Sequence, residues 1–230
     1  MPESLTAPLL FAGPSAWGLP PEVFAQAGVR LLPPVRRGDV PRHAAASERP
    51  GVMIVCDGVF QVAPAVSHQE LCEVMDAGCQ VWGVSSLGAI RAHELRAEGM
   101  HGFGEVFEMF ARFEDFTDDE MCLLHCPEPP YFPLTEPLVN LRHALDRQGE
   151  ALGLAPSAAQ AVIEVLSALW FGDRTPGRIL AALLKEGRMA APAAEQLMGW
   201  LSSHRLKTLD LARLLATRPW QASPALALTP

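Results

Sequence analysis

Residues Cys79 to Gly99 read CQVWGVSSLGAIRAHELRAEG, and this stretch decides the fold. Val81, Trp82 and Val84 form the short apolar run a buried strand needs, and Ser85-Ser86-Leu87-Gly88 turns the chain. Ala89, Ile90, Ala92 and Leu95 then recur at a spacing that suits one packed helix face. Strand, tight turn of small residues and helix is the layout of a nucleophile elbow, where a serine stands on a sharp bend before a helix N-terminus. Ser86 fits that pattern with Gly88 two residues on, although Val84 two residues before is larger than the usual glycine or alanine. Unpaired N–H groups at such a helix start favour an anion or a developing oxyanion. A strand-to-helix turn with no chemistry has the same signature.

Upstream of this stretch, apolar runs and helical segments alternate. Residues 8–12 and 29–32 read as strands, with a helix over 21–27 between them and Gly13-Pro14-Ser15 closing the first. Prolines and glycine make 33–39 a loop, and a polar helix is expected over 41–50. Val52 to Cys56 is a third strand, stopped at Asp57-Gly58. Ser67 and Glu70 form a capping box for a helix that runs to Ala77 and closes at Gly78. Such alternation implies an α/β fold, a mostly parallel Rossmann-like sheet with flanking helices. In an open sheet of this kind the carboxyl ends of the strands share one edge, where ligands bind. Ser15, Asp57 and Ser86 each follow an expected strand and so converge on one crevice.

Downstream, His101-Gly102-Phe103-Gly104 reads as a glycine-spaced linker before a helix over 105–112, and Thr117-Asp118-Asp119-Glu120 as a second capping box. Residues 127–133 form an aromatic and proline loop, and Thr135 with Pro137 begins a helix through about Arg147. Helices are expected at 157–171, 176–186, 192–203 and 208–217, with Thr175-Pro176 and Thr208 as starts and Gly172 and Gly187 as stops. The tail 219–230 reads as frayed. The chain therefore divides into an α/β core over 1–150 and a C-terminal all-helical region over 151–230.

Composition narrows the function. The 230 residues are 49% hydrophobic, enough for a substantial core, and no apolar run is long enough to span a membrane. The N-terminus lacks a basic segment followed by an apolar one, so a cytoplasmic protein is expected. A net charge of −8 with no concentration of Lys and Arg disfavours nucleic acid. Five scattered cysteines suggest reduced thiols. Cys122, His125 and Cys126 lack a second ligand pair, so no metal is expected, nor any other cofactor.

Several stretches together resemble the TfuA-like family, partner proteins of YcaO enzymes in peptide thioamidation. They are Gly13-Pro14-Ser15, the loop 33–39, Asp57-Gly58-Val59-Phe60, His68-Gln69-Glu70 and Ser85 to Leu95. Asp118-Asp119-Glu120 with His125, and Pro133 to Arg142, complete the set. Their order and spacing match over about residues 8–145, while 150–230 carries no matching motif; Leu87 replaces the usual methionine and His93 the usual alanine. The resemblance implies hydrolysis of the C-terminal thiocarboxylate of a ubiquitin-like sulfur-carrier protein. The released sulfide would serve an ATP-dependent YcaO partner in RiPP biosynthesis, with the precursor peptide as a further candidate partner.

Thiocarboxylate hydrolysis needs a nucleophile or activated water, a proton handler and an anion hole. Ser86 is the candidate nucleophile or anion-hole residue, with Ser85 one position away. His68 near a helix start is a candidate base, Asp57 can orient it, and His125 is the alternative base. Arg91, one turn beyond the elbow, can hold a carboxylate or thiocarboxylate, although Glu94 three residues on offers it a partner on the same helix. Gly13, Ser15, Arg37, Gly88, Glu94, His125, Asn140 and Arg142 form the candidate substrate-binding set. A persulfide relay through Cys56 is an alternative chemistry. Two rivals from other classes are a non-catalytic adaptor that docks carrier or peptide onto the YcaO enzyme, and a small-molecule esterase.

Overall fold

The computed structural model describes residues 7–46, 50–59, 63–113 and 116–222. Phe60, part of the expected 41–50 helix and the tail from 223 lie outside the described residues.

Five short strands form one parallel sheet: β1 (Leu9–Phe11), β2 (Arg30–Leu32), β3 (Val52–Val55), β4 (Gln80–Val84) and β5 (His101–Phe103), in the order β2-β1-β3-β4-β5. Side chains alternate across it. Leu9, Phe11, Met53, Val55 and Val81 point into one apolar layer, and Leu10, Ala12, Ile54, Cys56 and Val84 into the other. The first layer is completed by α3 (His68–Asp76), α4 (Leu87–Glu94) and α5 (Glu105–Arg112), with Val40 of α2 (Asp39–Ala44). The α/β reading thus holds. The capping box at α3 is complete, Ser67 Oγ accepting from Glu70 N–H and the Glu70 carboxylate accepting from Ser67 N–H.

Two local expectations change. His101-Gly102-Phe103 is a strand rather than a linker, pairing with Trp82-Gly83-Val84; Gly102 belongs there because a Cβ would lie within 2.2 Å of the Phe107 ring. Thr117 makes no side-chain cap, and Asp118–Met121 is a single 3-10 turn. Its acids pair with arginines instead: Glu120 takes a two-pronged bond from Arg142 at 2.8 and 2.9 Å, and Asp119 pairs with the fully buried Arg174.

The helices after the sheet are α6 (Leu138–Gln148), α7 (Pro156–Ser167), α8 (Pro176–Lys185), α9 (Ala191–Ser203) and α10 (Leu206–Thr217). Packing crosses the sequence division at 150. Leu138, Leu141 and Leu145 of α6 join α7, α8 and α9 in one apolar cluster. Leu211, Leu214 and Leu215 of α10 instead return to the sheet, packing with α1 (Pro21–Ala27) over Leu10 and Ile54. Asp210 fixes α10 against α5 by accepting the Val106 N–H at 2.9 Å, and a Cβ at Gly104 would strike its carboxylate. No described helix is long and apolar enough to cross a membrane.

Candidate functional site

The chain leaves β1 toward one side of the sheet and returns to build β3 on the other, so the β1/β3 edge is a topological switch point. A crevice of about 250 Å³ opens there, lined among others by Asp57, Ser86, Arg36, His125, Tyr131 and Lys207.

Asp57, 2% exposed at the end of β3, organises the floor. Its Oδ2 accepts the Gly13 and Ser15 N–H groups at 2.8 and 2.9 Å, and its Oδ1 accepts the Ser15 hydroxyl at 2.7 Å. Gly13 and Ser15 therefore hold Asp57 rather than standing free for a ligand, and a Cβ at Gly13 would collide with Pro34.

The elbow's two serines have different roles. Ser85 is the vertex, at φ 65° in the left-handed region that a non-glycine residue adopts only under strain. Its hydroxyl is fully buried and donates to the Lys207 carbonyl at 2.7 Å, so it does not face the crevice. Ser86 does. It occupies the N-cap position of α4 but makes no side-chain cap, and its Oγ has no hydrogen bond among the described residues although the residue is only 4% exposed. Gly88 is packing: its N–H donates to the Cys56 carbonyl at 3.1 Å, and a Cβ would overlap the Val55 carbonyl. The N–H groups of Leu87 and Gly58 have no acceptor among the described residues. Gly58 follows β3 and lines the crevice, and Leu87 is the first residue of α4, so both are donors open to an anion.

His125 lines the crevice, and its Nδ1 lies 2.7 Å from the Cys126 carbonyl. A carbonyl only accepts, so Nδ1 carries the proton and Nε2 of the neutral ring is left as an acceptor. His68 is elsewhere. Half-exposed, its Nε2 meets Glu94 at 2.8 Å, and Glu94 also binds Arg91, whose Nε donates to the Val66 carbonyl at 3.2 Å. Burial first, and then the Glu94 carboxylate, push the neighbouring Asp118 carboxyl above its ordinary value. This group spans α3, α4 and the 118–121 turn, and none of its members lines the crevice.

Arg37 is exposed and outside the crevice, whereas Arg36 lines it. Asn140 and Arg142 are scaffold. Asn140 donates to Glu136 at 3.1 Å and accepts the Lys207 N–H at 3.1 Å, while Arg142 is tied to Glu120. Burial, and next the Asp57 carboxylate, push the Cys56 thiol well above its ordinary value, and burial pushes Cys122 to about 11. Both thiols are therefore protonated near neutrality, which weighs against a persulfide relay at Cys56. Among the described residues no three His, Cys, Asp or Glu side chains stand together as a metal site.

Lys207 was not legible as a site residue. It lies in the first turn of α10, is 2% exposed, and donates from Nζ to the Met121 carbonyl at 3.0 Å, with Asp57 Oδ1 at 4.0 Å. Its signal is positional: Lys207 and Asp210 fall on the stripe 207, 210, 211 and 214, whose other members are the buried Leu211 and Leu214.

A sequence model described as TfuA-like protein matches residues 57–175, just over half of the chain. No curated protein matches the chain.

Proposed function

The chain belongs to the TfuA-like family, and from that premise we propose that it hydrolyses the thiocarboxylated C-terminus of a ubiquitin-like sulfur carrier, releasing sulfide to a YcaO-type partner for peptide thioamidation. The observation that carries the reading is Ser86: a residue 4% exposed that lines the switch-point crevice at a helix start, its hydroxyl making no hydrogen bond among the described residues.

The chemistry is acyl transfer to water. A base takes a proton from Ser86 Oγ, or from a water beside it. The oxygen forms a C–O bond at the thiocarboxylate carbon, and the C–S bond breaks with its electron pair on sulfur, which leaves as sulfide. If Ser86 attacks, water then hydrolyses the acyl-enzyme. Either way the carrier ends as a carboxylate, water supplies the oxygen, and no cofactor is required. His125 fits the base better than His68, since His125 lines the crevice while His68 is engaged by Glu94. Leu87 and Gly58 N–H groups fit an anion hole.

The test incubates this protein alone with a thiocarboxylated carrier and follows exchange of sulfur for oxygen by intact mass. Many turnovers per protein molecule are expected. No exchange unless a YcaO enzyme is present would overturn the hydrolase reading in favour of an adaptor.

A further inference from the structure

Lys207 lies outside the segment that the family match covers. A lysine buried this deeply is rare unless paired, because an ammonium gives up its hydration when water is stripped from it. The protein nevertheless holds it on three sides. Its N–H donates to Asn140 Oδ1 at 3.1 Å, its carbonyl accepts from Ser85 Oγ at 2.7 Å, and its Nζ donates to the Met121 carbonyl at 3.0 Å. Met121 ends the turn that Arg142 and Arg174 pin through Glu120 and Asp119. Two of the residues the sequence marked out, Ser85 and Asn140, thus act on Lys207.

What the ammonium does not have is a matched acceptor. Asp57 Oδ1 is 4.0 Å away, beyond hydrogen-bond length, and the Asp57 oxygens already take three shorter bonds from residues 13 and 15. The remaining Nζ donors therefore have no hydrogen-bond acceptor among the described residues, and the residue lines the same crevice as Ser86.

We propose that Lys207 makes the crevice a receptor for an anionic acyl end, a carboxylate or thiocarboxylate, and selects against neutral esters and amides. This deepens the proposed function and rests on it for the thiocarboxylate case. A thiocarboxylate carries a delocalised negative charge that repels an incoming oxygen nucleophile. An ammonium against it offsets that charge and holds the further charge that develops as the C–O bond forms. A neutral ester gains nothing from the ammonium, whose nearest carboxylate, Asp57 at 4.0 Å, is already taken up by residues 13 and 15.

The experiment titrates the full chain with a short peptide bearing a free C-terminal carboxylate and with the same peptide amidated, by calorimetry. The acid should bind at least about tenfold more tightly, as a charge-assisted hydrogen bond requires. Lys207→Met should erase the preference and Lys207→Arg retain part of it. Equal binding of acid and amide, no binding of either, or a preference that survives Lys207→Met would overturn the assignment. Should Lys207→Met fail to fold, the wild-type Lys207 ammonium signal in lysine-labelled protein should shift with the acid and not with the amide; an unmoved signal refutes the idea. If the acid preference is found but the thiocarboxylated carrier is not turned over, the hydrolase reading falls and the anion receptor stands.

Discussion

Two groups of charged and polar side chains compete for the role of active site, and both draw on α4. The crevice group, Asp57, Ser86 and Lys207, is almost wholly buried, and Asp57 and Lys207 are positioned by hydrogen bonds from distant parts of the chain. The outer group, His68, Glu94 and Arg91, contains the histidine the sequence favoured, but its members chiefly pair with each other near solvent. The difference is one of dielectric. Charges near the surface are screened and contribute little, whereas buried ones hold large energies that position and neighbours direct. A histidine already paired at the surface makes a poor match for a serine inside a crevice.

The contrast can be broken by mutation. The largest effect is expected from Asp57→Ala, which leaves the Gly13 and Ser15 donors unmatched and removes the carboxylate 4.0 Å from the Lys207 ammonium; loss of about 3–5 kcal/mol in urea unfolding is expected, as for a buried charge stripped of its neighbour. Next comes Asp210, which carries α10 and hence Lys207 into place. Burial raises its carboxyl to about 6, the largest cause being desolvation. The folded state then binds the proton more tightly than the unfolded chain, so this contribution is present below about pH 4 and is lost as pH rises through about 6. Asp210→Asn should abolish that dependence and stabilise the protein at pH 7 by up to about 3 kcal/mol, read from unfolding at pH 4 and 7. Ser86→Ala should lower thiocarboxylate hydrolysis at least about a hundredfold while leaving the melting temperature nearly unchanged, since its hydroxyl supports nothing structural. The smallest effect belongs to His68→Ala. Turnover within about twofold of wild type is expected, the range of an ordinary surface change. A His68→Ala loss equal to that of Ser86→Ala would reverse the comparison and make the outer group part of the site.

Much of the fold is legible in short stretches. Apolar runs of strand length between capped helices give β1, β3 and β4, and the Ser67/Glu70 pair marks the start of α3. β5 is not, because three residues with a central glycine carry no apolar pattern and become a strand only by lying beside β4. Thr208 illustrates the opposite error. A threonine before an apolar run resembles a cap, yet α10 begins two residues earlier and the hydroxyl is buried without a partner among the described residues. In the site, the meeting of residues after β1, β3 and β4 follows from topology. Which serine faces the ligand does not, because one residue of backbone twist at φ 65° decides it.

The sequence by itself determined the parallel sheet, its shared edge and the presence of Asp57 and Ser86 there, since the alternation of strands and helices and the turns after strands are local and periodic properties. Only the tertiary structure decided that His125 rather than His68 borders that edge, and that a lysine from the final helix closes it. Those choices depend on contacts between residues far apart in the chain, such as Ser85 with Lys207, whose energies no local pattern records.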